Sequence, residues 1–285
     1  MIQTLRQIKT RIRSVENISK MTWAMEMVSA SKLRSVQRAL AAAKAYHAKV
    51  EALLGGLLAS YKDARHPFLG ERAGDNRSVL CVIASDTGLC GGYNNAVMAK
   101  SLDFIGKRPE GSVSLIVVGK RGVNYFEKRG LGIACSYAEL YGRYSDVKAR
   151  EIAARLVEMF VKGEAGEVYM TYTSMVSVSR HEVVVGKLLG VQAPSGGKEA
   201  EYITEPSADA IIAKLLSAYV ESKVRCALLG AFAAEHSARV IAMSEATNNA
   251  KELLDGLVLT RNKTRQANIT REIIEVISAS DALKG

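Results

Sequence analysis

Residues 5–40, LRQIKTRIRSVENISKMTWAMEMVSASKLRSVQRAL, contain neither proline nor glycine. Apolar side chains recur three and four apart along them, at Leu5, Ile8, Ile12 and Val15, then Ile18, Met21, Met25 and Val28, then Leu33, Val36 and Leu40. That spacing lays one apolar stripe along a helix. The first glycine is Gly55 and the first proline Pro67, so nothing in the first 66 residues forbids a continuous helix. All four prolines fall between Pro67 and Pro206, which frees the last 79 residues in the same way. There the stripe runs through Ile212, Leu216, Tyr219, Val224, Leu228, Ala231, Ala234, Ala238 and Ile241, and resumes at Leu253, Leu257 and Ile273 to Ile277. Two such stripes bury each other if the arms pair antiparallel. At about 1.5 Å per residue the front arm would be on the order of 80 Å long and the back arm about 115 Å, leaving roughly 30 Å of the latter as a tip.

Between the arms the period changes. Ser78 to Ser85 (SVLCVIAS) is a continuous apolar, β-branched run, followed by a glycine turn and a helical stretch from Asn95 to Ile105. Val113 to Gly119 repeats the strand signal, Val123 to Lys128 reads as a short helix, Gly132 to Tyr137 as a third strand and Val147 to Val161 as an amphipathic helix. Glu167 to Tyr172 and Val183 to Val191 complete the set. Short all-apolar strands alternating with helices predict a mostly parallel sheet covered on both faces. The fold class is therefore α/β, with a coiled-coil helix over 1–60, a central α/β domain over 61–204 and a second coiled-coil helix over 205–285.

A chain of 285 residues, 48% hydrophobic and 24% charged, has an ordinary globular composition with enough length for a buried core. The net charge of +10 is concentrated: the first fifty residues carry ten Lys or Arg against only Glu16 and Glu26. A basic helix is a solvated face, or else meets nucleic acid, an anionic membrane or acidic protein loops. Only Trp23 and Tyr46 supply aromatic rings on this arm and no nucleic-acid module is present. No apolar run approaches the ~18 residues needed to span a bilayer. Met1 to Ser14 carries Arg6, Lys9, Arg11 and Arg13 without an apolar core, unlike a secretory signal. Cys81, Cys90, Cys135 and Cys226 have no C-x-x-C spacing and read as buried reduced thiols.

The turn Asp86-Thr-Gly-Leu-Cys-Gly-Gly-Tyr-Asn94 is where an α/β domain would hold a phosphate. It matches neither G-x-G-x-x-G nor the P-loop and lacks the P-loop lysine, so a tight turn presenting Cys90 and Tyr93 to a partner is the expectation. Histidines 47, 66, 181 and 236 are scattered without metal-ligand spacing. Ser179, His181 and Glu182 are near in sequence, but neighbours on an extended segment point to opposite faces and do not form a triad. No catalytic centre or metal site emerges.

Longer stretches are specific. Met21-Thr-Trp-Ala-Met-Glu-Met-Val-Ser-Ala-Ser-Lys-Leu-Arg34 resembles the K-A-M-E-M-V-A-A-x-K-L-R signature of the gamma subunit of F-type ATP synthases, and Ser85 to Asn94 resembles its S-D-R-G-L-C-G-G-Y-N turn. Ala238 to Met243, Glu245 to Ala250 and Asn262 to Glu272 are similar to A-R-M-x-A-M, A-T-D-N-A and N-x-A-R-Q-A-x-I-T-Q-E in order and spacing. The resemblance covers the whole chain. It implies an antiparallel coiled coil of the termini inside a ring of three alpha and three beta subunits, with a Rossmann-like α/β domain at its base. It also implies a mechanical role: ion flow turns a membrane ring of c subunits, the shaft turns with it, and its asymmetry drives the ring's catalytic sites through their states, or runs in reverse on ATP hydrolysis. No cofactor would be bound by this chain, ATP, ADP and Mg residing on partner subunits. The implied partners are alpha, beta and epsilon subunits and the c ring, with no nucleic acid, at the cytoplasmic side of a bacterial plasma membrane as a peripheral protein.

By the same resemblance Arg265 and Gln266 would hydrogen-bond a beta-subunit loop, with Arg239, Thr270 and Glu272 completing a coupling surface around Met25. The planar fork of an arginine suits contacts that are made and broken repeatedly. Met25 is equally a candidate for the coiled-coil seam. Lys32, Cys90 and the glycine turn would meet an acidic loop of beta, and Tyr202 and Glu205, in a segment similar to the family's Y-x-Y-E-P, would lie at the foot against the c ring. Ile273 to Leu283 would turn in an apolar collar. Trp23, Thr87 and Arg271 stand where the family has lysine, arginine and glutamine, and Asp281 places a carboxylate near the apolar tip. No close cysteine pair of the chloroplast thiol-switch kind is present. Two other classes make distinct expectations: a nucleotide-binding α/β protein would bind ATP alone, and a coiled-coil scaffold binding nucleic acid would lose affinity steeply with salt.

Overall fold

The computed structural model describes residues 4–60, 77–177, 180–189, 205 and 207–282. Tyr202 and residues 283–285 lie outside them, as does the side chain of Asp281. Helix α1 (Leu5–Ser60) is followed by β1 (Ser78–Ile83), α2 (Tyr93–Gly106), β2 (Val113–Val118), α3 (Lys120–Glu127), β3 (Ile133–Tyr137), α4 (Asp146–Val161), β4 (Glu167–Met175), β5 (His181–Leu189) and α5 (Ala208–Ala282). Helix α1 has 56 residues and α5 has 75, each continuous as the absence of proline allows. Ser207 caps α5, its hydroxyl accepting the Ala210 N–H at 3.3 Å. One 18-residue window of α5 reaches a mean hydropathy of 1.2, so the expectation that no segment has the apolarity of a span needs correction. That window is 72% buried within the chain, as a core helix requires.

By contact the chain divides into two compact units, Met1–Val28 with Val240–Gly285, and Ser29–Arg239. These units do not follow the expected boundaries at residues 60 and 205. Residues 29–60 and 208–239 of the two helices belong with the α/β body, because Leu33 to Leu58 and Ile212 to Phe232 share one buried cluster with the sheet.

In the second unit the five strands run in the order β3-β2-β1-β4-β5. The β1–β2, β1–β4 and β2–β3 pairs are parallel and only β4–β5 is antiparallel. Period-two alternation sorts the strand side chains between two cores. Val79, Cys81, Ile83, Ile116 and Val118 join the cluster with α1, α4 and α5, whereas Leu80, Val82, Leu115 and Val117 face Val97 of α2 and Phe126 of α3. Helix α3 lies close on the sheet because Gly122 has no side chain: a Cβ there would meet Val117 Cγ1 at 2.8 Å.

In the first unit Ile8, Ile12 and Val15 pack with Ala250 and Leu257, and Thr22 Oγ1 meets Thr247 Oγ1 at 2.8 Å. The two helices are therefore antiparallel there. The seam on α1 departs from the stripe read in sequence. Ile8, Ile12 and Val15 are buried, but Ile18, Met21 and Val28 are exposed and Met25 is half-buried. The buried and half-buried track instead continues through Ser19, Thr22, Glu26, Ser29, Leu33, Val36, Leu40, Ala43, His47, Val50, Leu54 and Leu57, steps of four and three throughout. That is a heptad repeat, whose 3.5-residue period drifts away from a 3.6-residue stripe.

Candidate functional site at the glycine turn and the end of α5

The turn between β1 and α2 is closed by its own polar groups. The Asn94 side chain accepts the Ser85 N–H at 3.0 Å, and its amide donates to Ser85 Oγ at 2.8 Å and to Cys90 Sγ at 3.3 Å. Asp86 accepts the backbone N–H groups of Lys120, Glu139 and Tyr141 at 2.9, 3.0 and 2.7 Å, binding the turn to the loops after β2 and β3. Gly91 takes φ +56, a left-handed conformation that glycine adopts freely, while Leu89 takes φ +60 and turns its side chain outward, 62% exposed.

Cys90 does not present its thiol to a partner, contrary to the sequence reading. It is 1% exposed, packed with Tyr93 and Ala234, and burial pushes its pKa up. Tyr93 is likewise buried. The backbone requires this inversion, since one residue of a tight turn must point inward, and the small thiol fits beneath α5 where leucine points out.

Arg239 is also inward, not on an outer coupling surface. Its residue exposure is 7%, and its guanidinium donates to Thr87 Oγ1 at 3.0 Å, to the Gly88 carbonyl at 3.3 Å and to Glu235 Oε1 at 2.8 Å. Glu235 is 1% exposed, and burial raises its pKa against the opposing pull of Arg239. His236 Nε2 lies 2.9 Å from the Gly142 carbonyl and its Nδ1 lies 3.4 Å from Arg239 Nη1. A carbonyl only accepts and a guanidinium only donates, so the ring is neutral with its proton on Nε2. Burial first, and then the charges of Arg239 and Lys32, push its pKa down to about 4. Sequence reading missed Glu235 and set His236 aside as one of four scattered histidines. The available signal was three ionisable residues within one turn of the small apolar run Ala231 to Ala238, where charge without a partner is expensive.

Lys32 is half-buried and donates to the Tyr141 carbonyl at 3.3 Å. On the outside of the turn a cleft of about 440 Å³ is lined by Gly88, Leu89, Asn95, Arg121, Asn124 and Lys128 among others. Among the described residues neither Arg121 nor Lys128 has a carboxylate partner, so the cleft is positive. Arg265, Gln266, Thr270 and Glu272 lie on α5 beyond Leu257, the last buried residue among those described, and all are exposed. So are Ile269, Ile273, Ile274, Val276 and Ile277. Glu205 is exposed. Ser179 is outside the described residues, and among those described no group of three His, Cys, Asp or Glu side chains is placed to hold a metal ion.

A family model described as ATP synthase matches residues 4–283. The ATP synthase gamma chain of Desulforamulus reducens is 38% identical over 282 residues, covering 98% of this chain and 99% of that one. The gamma chain of Moorella thermoacetica is 39% identical over 282 residues with the same coverage. A chain from the mitochondrial ATP synthase of Euglena gracilis superposes with a TM-score of 0.66 at 14% identity, over 98% of this chain and 94% of that one. Another, from the central stalk and c-ring assembly of the Tetrahymena thermophila enzyme, gives 0.62 at 20% identity over 79% and 99%. The structural likenesses speak for the fold, and the sequence matches run end to end through the turn, the Arg239 segment and the exposed end of α5: the chain belongs to the ATP synthase gamma chain family.

Proposed function

We propose that the chain is the central rotor shaft of an F-type ATP synthase, a non-catalytic subunit that couples ion flow through a membrane c ring to ATP synthesis or hydrolysis in an alpha–beta ring. The observation that carries this reading is the end of α5. Helix α5 runs on past Leu257 to Ala282, with five large aliphatic residues from Ile269 to Ile277 about half or more exposed. Among the described residues nothing of the chain covers them, and an isolated single helix of that apolarity is poorly suited to water. An enclosing collar supplies the missing cover, and its contacts are non-directional, so they resist rotation little.

Partner contacts are then assigned by exposure. Arg265, Gln266, Thr270 and Glu272 offer an arginine fork, an amide, a hydroxyl and a carboxylate to a beta-subunit loop, with half-buried Met25 near the same helix pair. The acidic loop of beta meets Leu89 and the Arg121–Lys128 cleft, with the basic front helix adding long-range attraction. Exposed ion pairs of this kind are each worth about 0–1 kcal/mol, weak enough to exchange as a rotor turns. Glu205, with Tyr202, serves the foot against the c ring, and epsilon completes the stalk. ATP, ADP and Mg are held by the partner subunits, and the complex lies at the cytoplasmic face of the plasma membrane, this chain being peripheral.

Co-expression with the alpha and beta subunits of the same organism tests the reading by native mass spectrometry and ATPase assay. One copy per three alpha and three beta is expected, with turnover absent in the isolated chain and weakened by Arg265→Ala with Gln266→Ala. Failure to assemble, with ATP or nucleic acid bound by the chain alone, refutes it.

A further inference from the structure

We infer that Arg239, with Glu235 and His236, is the grip by which the α/β body holds α5 against twisting, a positioning cluster for rotary coupling and not a partner contact. The inference rests on the rotor reading above.

Arg239 is the last residue of the Ser29–Arg239 unit, and α5 continues without a break into Val240. Here α5 is buried on every side, Ala231, Ala233 and Ala234 alternating with Leu228, Leu229 and Phe232. That apolar packing holds the helix by shape, and apolar contact has no preferred direction of its own. The polar cluster adds direction. Arg239 holds the turn after β1 through Thr87 Oγ1 and the Gly88 carbonyl, and His236 holds the loop after β3 through the Gly142 carbonyl. Asp86 joins those two loops by accepting the Glu139 and Tyr141 N–H groups. Glu235 sets the guanidinium in place at 2.8 Å, and Gly142, at φ +64, lets its loop approach so closely that a Cβ would lie 2.6 Å from His236 Nε2.

The resulting triangle of loop, loop and helix resists small angles. A side-chain tip roughly 6 Å from a helix axis moves about 2 Å when the helix turns ~20°, enough to break hydrogen bonds of this length. Torque on the body is thereby delivered to α5. The cluster also explains why an arginine is kept in a buried place: its fork reaches a hydroxyl, a carbonyl and a carboxylate at once, which lysine's single ammonium does not.

The assembled ATP synthase, reconstituted in vesicles, tests this with Arg239→Ala, Arg239→Lys and the double variant Glu235→Leu with Arg239→Met. The double variant guards against misfolding, because a buried ion pair exchanged for apolar groups of similar volume is often tolerated. Three quantities are read: ATP hydrolysis, ions pumped per ATP hydrolysed, and alkylation of Cys90, which the clamped turn shields. Hydrolysis within about twofold of the parent is expected, with pumping per ATP down about fivefold or more and Cys90 alkylated faster, and Arg239→Lys intermediate. Unchanged pumping per ATP alongside faster Cys90 alkylation would show a local structural role only and overturn the inference, as would pumping and hydrolysis falling in proportion. Failure of the parent chain to assemble with alpha and beta is a different result, and it refutes the rotor reading itself.

Discussion

Acidification should loosen the second unit through one histidine. His236 is buried, its Nε2–H is committed to the Gly142 carbonyl, and its Nδ1 faces the Arg239 guanidinium at 3.4 Å. A proton on Nδ1 would set donor against donor and charge against charge, with Lys32 adding to the repulsion. The folded chain therefore titrates this ring near 4, against 6.5 for an unhindered one. Above pH 6.5 the ring is neutral whether the chain is folded or not, and contributes nothing to pH dependence. Between 6.5 and about 4 the unfolded chain takes a proton that the folded one refuses, so stability is lost as pH falls; below about 4 both forms are protonated and the loss stops. At about 1.4 kcal/mol for each pH unit between the two values, the full loss is on the order of 3 kcal/mol. Glu235 works the other way, its raised pKa returning stability as it protonates, so the histidine must be isolated by difference. His236→Gln keeps a donor for Gly142 and an acceptor for Arg239 without a titrating nitrogen. Hydrogen exchange of the sheet amides at pH 7, 6, 5 and 4.5 reads the opening free energy of this unit separately from the other. The gap between the parent and His236→Gln should widen steadily below pH 6.5. A gap constant within about 0.5 kcal/mol over that range would show that the ring is free to protonate in place, and that the geometry given for it is wrong.

Two glycines should differ sharply in tolerance. Gly119→Ala places a Cβ 2.3 Å from the Ala84 carbonyl oxygen at φ +96, so a loss of roughly 3 kcal/mol or more is expected, whereas Gly130→Ala, at φ +69 in open space, should cost about 1 kcal/mol; denaturant midpoints of the two variants check the contrast. In the first unit Thr247→Val removes a buried hydroxyl shared with Thr22 Oγ1 and the Met243 carbonyl, and should cost about 1 kcal/mol. The cycle with Thr22→Val should return a coupling of roughly 0.5 kcal/mol or more, and strict additivity would mean that the two hydroxyls do not bond.

The strands were legible to within a few residues because β-branched runs such as Ser78 to Ser85 have no competing helical period, and because their alternation serves two cores at once. Helix ends were displaced where glycine permitted an earlier start: α2 begins at Tyr93, directly after Gly92, and α3 at Lys120, directly after Gly119. What stayed hidden was pairing at a distance. Arg239 meets carbonyls some 150 residues away in sequence, and a single chain read by local pattern assigns a polar side chain to the surface by default. Cys90 failed for a related reason, since a turn's residue types reveal that it is tight but not which of its side chains points in.

The seam of α1 was misread for a reason that bears on function. After Ile8, Ile12 and Val15 its heptad track continues on small and polar residues, Ser19, Thr22 and Glu26, while a second track of Ile18, Met21, Met25 and Val28 lies beside it, Met25 half-buried and the others exposed. Periodicity alone fuses two such tracks into one stripe, because both use steps of three and four. A helix that only had to bind its partner helix would place its large apolar residues on the seam and leave the outside charged, since exposing Trp23 to 57% gains nothing for the monomer. Here the seam turns polar from Ser19 to Glu26, and aliphatic surface is spent outward beside it. Bonds such as Thr22–Thr247 fix the register of the helix pair at modest energy, and the outward apolar track remains available to whatever encloses it. A helix pair whose register is fixed by polar bonds and which keeps apolar residues exposed beside its seam suits a shaft inside a ring, and it is the same logic seen in the exposed isoleucines at the end of α5.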